Sequence, residues 1–127
     1  MTPAPPTLDA SRLEALRQLE RASSRSLVAE VVDSFLAESP RRLARLREAI
    51  AAGDRETAVF VAHSWKGSAA QLGAAALAEV CRRIEGLLKE GAADLAVLAP
   101  AVDEAERELE RVAAALRAID PTAGSPP

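Results

Sequence analysis

The chain contains one histidine, His63, and one cysteine, Cys81. A neutral imidazole is a competent nucleophile near pH 7, so His63 is the first candidate for chemistry. Its residues sit in a helix-forming stretch, and at ~100° per residue its direction follows from the neighbours. Ala58, Val61, Trp65, Ala69 and Leu72 all fall within about 70° of the side opposite His63, which marks that side as the core face and turns the imidazole to solvent. On the histidine's own side, within roughly 60°, come Val59, Phe60, Lys66, Gly67 and Ala70. A lone histidine is ordinarily a solvated or satisfied side chain. These neighbours argue for more. A mid-helix glycine costs about 1 kcal/mol relative to alanine, so Gly67 suggests close approach by another molecule. Lys66, one turn on, brings an ammonium that opposes protonation of the ring and favours an anion bound there. Val59 and Phe60, if uncovered, form an apolar docking patch with Ala70; a first helix lying over Phe60 is the equal alternative.

This surface suits phosphoryl transfer. The attacking nitrogen needs in-line access, which the missing side chain of Gly67 supplies, while Lys66 offsets charge on the phosphoryl oxygens. Gln71, about 80° from His63, is either a further phosphate contact or a solvated side chain. The rest of a catalytic apparatus is missing from the sequence. Gly67-Ser68 lacks the spacing of a phosphate-binding loop. Ser64 lies about 100° around the helix from His63, so no serine–histidine–acid arrangement forms within a turn. A metal on His63 and Cys81 lacks two further ligands, and Cys81 falls in the apolar stripe of its own helix as a small hydrophobe. The remaining chemistry is therefore expected from a partner, with no cofactor or metal bound by this chain.

Positioning these residues requires helices. The 127 residues argue for one domain, and a hydrophobic share of 49% is enough for a core. A formal net charge of -3 gives no support to nucleic-acid binding by bulk electrostatics, and three aromatic residues, Phe35, Phe60 and Trp65, offer no base-stacking platform. A single cysteine excludes an internal disulfide and fits a reducing compartment. The start of the chain lacks a signal-peptide pattern, and the uncharged stretch 67–78 is shorter than the ~18 apolar residues of a membrane span. A cytoplasmic protein is expected.

No alternating strand pattern appears, so the domain should be all-α. Asp9 is placed to cap a short first helix carrying Leu13, Leu16 and Leu19. Val28, Val32, Phe35, Leu43, Leu46 and Ile50 keep one helical phase over residues 25–52. Ser39-Pro40 could start a second helix there as N-cap and first-turn proline, but the unbroken phase favours one kinked helix. Gly53-Asp54 reads as a stop and a new cap. A helix over residues 55–72 ends at Gly73. Leu77, Val80, Cys81, Ile84, Leu87 and Leu88 then trace the stripe of the next, and Asp94 caps a last one bearing Val102, Ala105, Leu109, Val112, Leu116 and Ile119, with Pro100 near its start. Short connections predict an antiparallel four-helix bundle over residues 8–120 with an additional short N-terminal helix, between proline-rich tails at 1–7 and 121–127. Those short ends and the starting methionine suit a free-standing protein.

The run Ala62-His63-Ser64-Trp65-Lys66-Gly67-Ser68, followed by Leu72-Gly73-Ala74, Leu77, Cys81 and Ile84-Glu85, resembles the histidine-containing phosphotransfer (HPt) domain of bacterial phosphorelays. The likeness extends back through Phe35, Leu43, Leu46, Gly53 and Asp54, covering most of residues 8–116. It implies that His63 takes a phosphoryl group from an aspartyl phosphate on a receiver domain and passes it to another receiver. Lys66 would then be its charge partner and Gly67 the receiver's opening. It further implies no kinase activity of its own, magnesium held by the receiver, and partners among the receiver domains of response regulators or hybrid histidine kinases. Trp65 departs from the leucine more usual in that family, which implies altered packing and unaltered chemistry. A competing reading is a non-catalytic helical module, because the spacing from Val102 to Ile119 could seed a homodimeric coiled coil, although a bundle core explains it equally and a monomer is expected. Arg82 and Arg83, off the stripe of their helix, either face an acidic partner or are simply solvated.

Overall fold

A computed structural model describes residues 7–22, 27–92 and 94–119, apart from the side chains of 19–22 and 95. Of the predicted tails at 1–7 and 121–127, all but residue 7 lie outside the described residues, as does the side chain of Leu19. Among the described residues five helices follow one another: α1 (Ala10–Ala22), α2 (Leu27–Ala51), α3 (Arg55–Leu72), α4 (Ala75–Lys89) and α5 (Leu95–Ile119). Neighbouring pairs α2/α3, α3/α4, α4/α5 and α2/α5 are all in contact, which closes an antiparallel four-helix bundle, and α1 lies against α2 and α3.

The boundaries have local causes. Asp9 accepts a hydrogen bond from the Ser11 backbone N–H at 2.9 Å, and Asp94 accepts one from the Ala96 N–H at 2.9 Å, each satisfying an orphan donor of a first helical turn. Asp54 does the same for the Thr57 N–H at 3.1 Å. Gly73 ends α3 in the left-handed conformation, φ 84°, and a Cβ there would also lie 2.8 Å from the Asp9 side chain. The same glycine carbonyl accepts the Asp9 backbone N–H, so the start of α1 is seated on the α3–α4 turn. Only glycine meets both demands.

α2 is one helix with Pro40 inside it, as the continuous apolar phase predicts. Ser39 is therefore not an N-cap. It is fully buried, and its hydroxyl accepts the Trp65 indole N–H at 3.2 Å. This is the packing change that tryptophan brings: a large, fully buried ring whose one polar atom finds a partner on α2. Around it the core collects Leu46, Leu72, Leu77, Ile84, Leu98 and Leu116, each contributing about 1.5–3 kcal/mol by burial. Val102, Ala105, Leu109, Val112 and Leu116 are all buried in this same core. The α5 stripe is thus used within the chain, and the coiled-coil reading loses its seam; only Ile119 at its end stays exposed.

Candidate functional site

His63 stands midway along α3. Ala58, Val61, Trp65, Ala69 and Leu72 are buried as the helical arithmetic predicts, and the imidazole is 64% exposed. Ala62 is buried too, because the core arc of α3 extends to the flank covered by α4.

From α4 comes a group that the arithmetic on one helix does not contain. Glu85 is buried, and its Oε2 lies 2.9 Å from His63 Nδ1. Its Oε1 accepts from Lys66 Nζ at 2.9 Å, and Lys89 Nζ stands 3.0 Å from Oε2. The Lys66 hydrogen bond, helped by those from Lys89 and His63, outweighs burial and holds the Glu85 carboxyl at about 2, below its ordinary 4.5. Glu85 is ionised at neutral pH and can only accept. Nδ1 must therefore carry the proton of the Nδ1···Oε2 bond, which leaves the lone pair of a neutral ring on Nε2.

This alters the expected part of Lys66. Its ammonium is tied to Glu85, which stands between the cation and the ring's inner nitrogen, so Lys66 belongs to a carboxylate-centred group with Lys89 rather than acting on the imidazole alone. The sequence signals for that group are the i,i+4 spacing of Glu85 and Lys89 on α4 and the place of Lys66 and Glu85 in the run that carries the family resemblance.

The other predicted residues are distributed along α3. A Cβ at Gly67 would meet nothing within 4 Å, so nothing inside the chain requires a glycine there. Phe60 is 62% exposed: α1 does not cover it. Val59 is half-buried against the core and Ala70 is exposed. Gln71 is not brought to the imidazole. Eight residues on, it lies about 12 Å farther along the helix axis, beside Glu30, Ser34 and Ser68. Cys81 is fully buried, and burial pushes its thiol up to about 12, consistent with packing and not with nucleophilic chemistry. Arg82 pairs with Glu79 on its own helix, and Arg83 with Glu104 of α5. Among the described residues no group of three or more His, Cys, Asp or Glu side chains gathers to hold a metal ion.

A family model described as the Hpt domain matches residues 30–116. The chain belongs to the Hpt domain family. The fold is also that of a solved structure, the crystal structure of histidine-containing phosphotransfer protein B (HptB) from Pseudomonas aeruginosa PAO1. That structure is 27% identical in sequence, with a TM-score of 0.80 covering 90% of this chain and 94% of the other. No curated protein matches the sequence. Histidine phosphotransfer in a phosphorelay is thus the function of this Hpt chain, and His63 is its sole histidine. Hpt proteins are phosphotransfer intermediates, not classical enzymes, and they work with receiver domains. No described helix is long and apolar enough to cross a membrane.

Proposed function

We propose that Nε2 of His63 is the atom that carries the phosphoryl group between two receiver domains. The observation that carries this reading is the bond between Nδ1 and a buried, ionised Glu85, because it directs the free lone pair outward. In the accepting step the Nε2 lone pair attacks the phosphorus of an aspartyl phosphate. A P–N bond forms, the P–O bond to the acyl oxygen breaks, and its electron pair leaves with the aspartate carboxylate. The ring keeps its Nδ1 proton and becomes cationic, facing the negative Glu85 across a hydrogen bond already in place. On donation the P–N electron pair returns to Nε2 as the next aspartate attacks. Lys66 and Lys89 stand on the same flank and offset phosphoryl charge, while Gly67 leaves space for the incoming domain.

The receiver supplies the remaining catalysis, including magnesium; the chain's own contribution is a fixed, correctly protonated ring. We further read the chain as a cytoplasmic monomer without kinase activity, a reading supported by the inward use of the α5 stripe and by the buried free thiol of Cys81. The test is transfer from a panel of phosphorylated receiver domains. Label passing to the wild-type chain and not to His63→Gln is the expected result; labelling of His63→Gln as fast as wild type, or no transfer from any receiver, contradicts the assignment.

A further inference from the structure

The end of the bundle where the α2–α3 and α4–α5 connections meet is not filled by its own side chains. A hollow of about 300 Å³ lies there, walled by Ala49, Ile50, Ala58, Leu88, Ala92 and Leu98. Four of these walls, Ala49, Ala58, Leu88 and Leu98, are core residues no more than 6% exposed, so the surface is concave and not a flat patch. A smaller hollow, floored by Ala99 and Val102, begins on the other side of Ile50. Beside it the outward residues of α5, Ala96, Val97, Ala99 and Pro100, carry no charge. Among the described residues that line the larger hollow, Arg55 has the only polar side chain. It is exposed, and its Nη2 donates to the Gly91 carbonyl at 3.2 Å, which uses one donor of a guanidinium fork able to hold a carboxylate with two. Arg55 forms no ion pair with a described carboxylate: Asp54 and Asp94, at the same end, accept instead from the backbone N–H groups of Thr57 and Ala96.

We propose that this hollow binds a small aliphatic monocarboxylate, its single alkyl chain lying against Ile50, Leu88 and Leu98 and its carboxylate held by the Arg55 guanidinium. Apolar walls offer water few partners, so an alkyl chain gains by displacing it, while the one charged group at the rim fixes which end of the ligand faces out. The volume stands at the lower end of the ~300–1,000 Å³ of small-molecule sites, which suits one short chain and excludes a two-chain lipid. The site is separate from the phosphotransfer centre. Arg55 precedes His63 by eight residues, about 12 Å along the axis of α3. A bound ligand ties the α2–α3 connection to the α4–α5 connection and adds stability to the fold by mass action.

The experiment titrates hexanoate, octanoate, octanol and octyltrimethylammonium, each below its micelle concentration, into the ¹⁵N-labelled full chain and follows the amide resonances. Circular dichroism melts establish that each variant is folded. Shifts are expected to cluster at Ile50, Gly53, Arg55, Leu88 and Ala92, with octanoate about tenfold tighter than hexanoate through its two further methylenes. Octanoate should also bind about tenfold tighter than octanol, with the cation weakest, because only the carboxylate engages the guanidinium. R55Q is expected to reduce octanoate to the affinity of octanol and R55K to keep most of it, while A92F, which fills the hollow, removes binding of both. Scattered or absent shifts for every probe, octanoate no tighter than octanol, or wild-type affinity in R55Q or A92F overturns the proposal and leaves His63 as the phosphoryl carrier. A wild-type dimer in sedimentation that octanoate dissociates overturns it as well, since the hollow would then seat a second copy of this chain.

Discussion

Nδ1 of His63 lies 2.9 Å from Oε2 of Glu85, a residue 22 positions later on the adjacent helix. Glu85→Ala removes the acceptor that fixes the ring, so transfer from a phosphorylated receiver is expected to slow by about tenfold or more, equivalent to about 1.4 kcal/mol of barrier. Glu85→Gln keeps a carbonyl oxygen able to accept from Nδ1 and is expected to lose less. Single-turnover transfer rates check the order: wild type, then Gln, then Ala.

The same carboxylate makes stability depend on acid. Its folded pKa, about 2, lies below the ordinary 4.5, so its contribution is complete above pH 4.5 and is lost as pH falls toward 2. Melting temperatures of wild type and Glu85→Gln should therefore differ most at neutral pH and converge below pH 4.5. A difference that stays constant to pH 2 contradicts this linkage. Comparing the two proteins removes the parallel effects of Asp9, Asp54 and Glu79, which are also held below their ordinary values by hydrogen bonds.

Gly67 separates stability from function. With open space around its Cα, Gly67→Ala is expected to stabilise the helix by about 0.5–1 kcal/mol. Gly67→Leu should fold equally well yet slow transfer from a receiver, because its side chain projects into the approach path. Denaturant melts and transfer rates on the same samples check both halves.

The direction of His63 was legible in the sequence because a helix fixes the relative angles of its own residues. Five apolar positions on one side of α3 sufficed to place the imidazole on the other, and all five are buried. Which part of α4 meets that ring was not legible, since it depends on how two helices pack. Glu85 borders the apolar stripe of α4, where a glutamate is ordinarily solvated; Lys66 and His63 opposite, with Lys89 one turn on, make its burial tolerable. Ser39 was obscured for another reason. Serine before proline is a strong cap signal, and the competing demand of a buried indole N–H from 26 residues away has no local pattern. Phe60 could be resolved only by seeing where α1 lies.

That Ser39–Trp65 bond ties α2 to the turn of α3 that bears His63. Trp65→Phe leaves the serine hydroxyl buried without its donor, and Ser39→Ala leaves the indole N–H without its acceptor; each is expected to cost about 1–3 kcal/mol. Because the two share one bond, the double variant should be less destabilised than the sum. A double-mutant cycle by urea unfolding measures the coupling, and strict additivity would show that the bond contributes nothing.

With one histidine in the chain, ¹⁵N-histidine labelling reports a single ring. NMR of the protein after phosphotransfer from a receiver tests the central claim most directly. The expected spectrum shows a proton on Nδ1 before and after transfer and phosphorus coupled to Nε2 of His63. Phosphorus on Nδ1, or transfer that leaves both ring nitrogens uncoupled to phosphorus, contradicts the account.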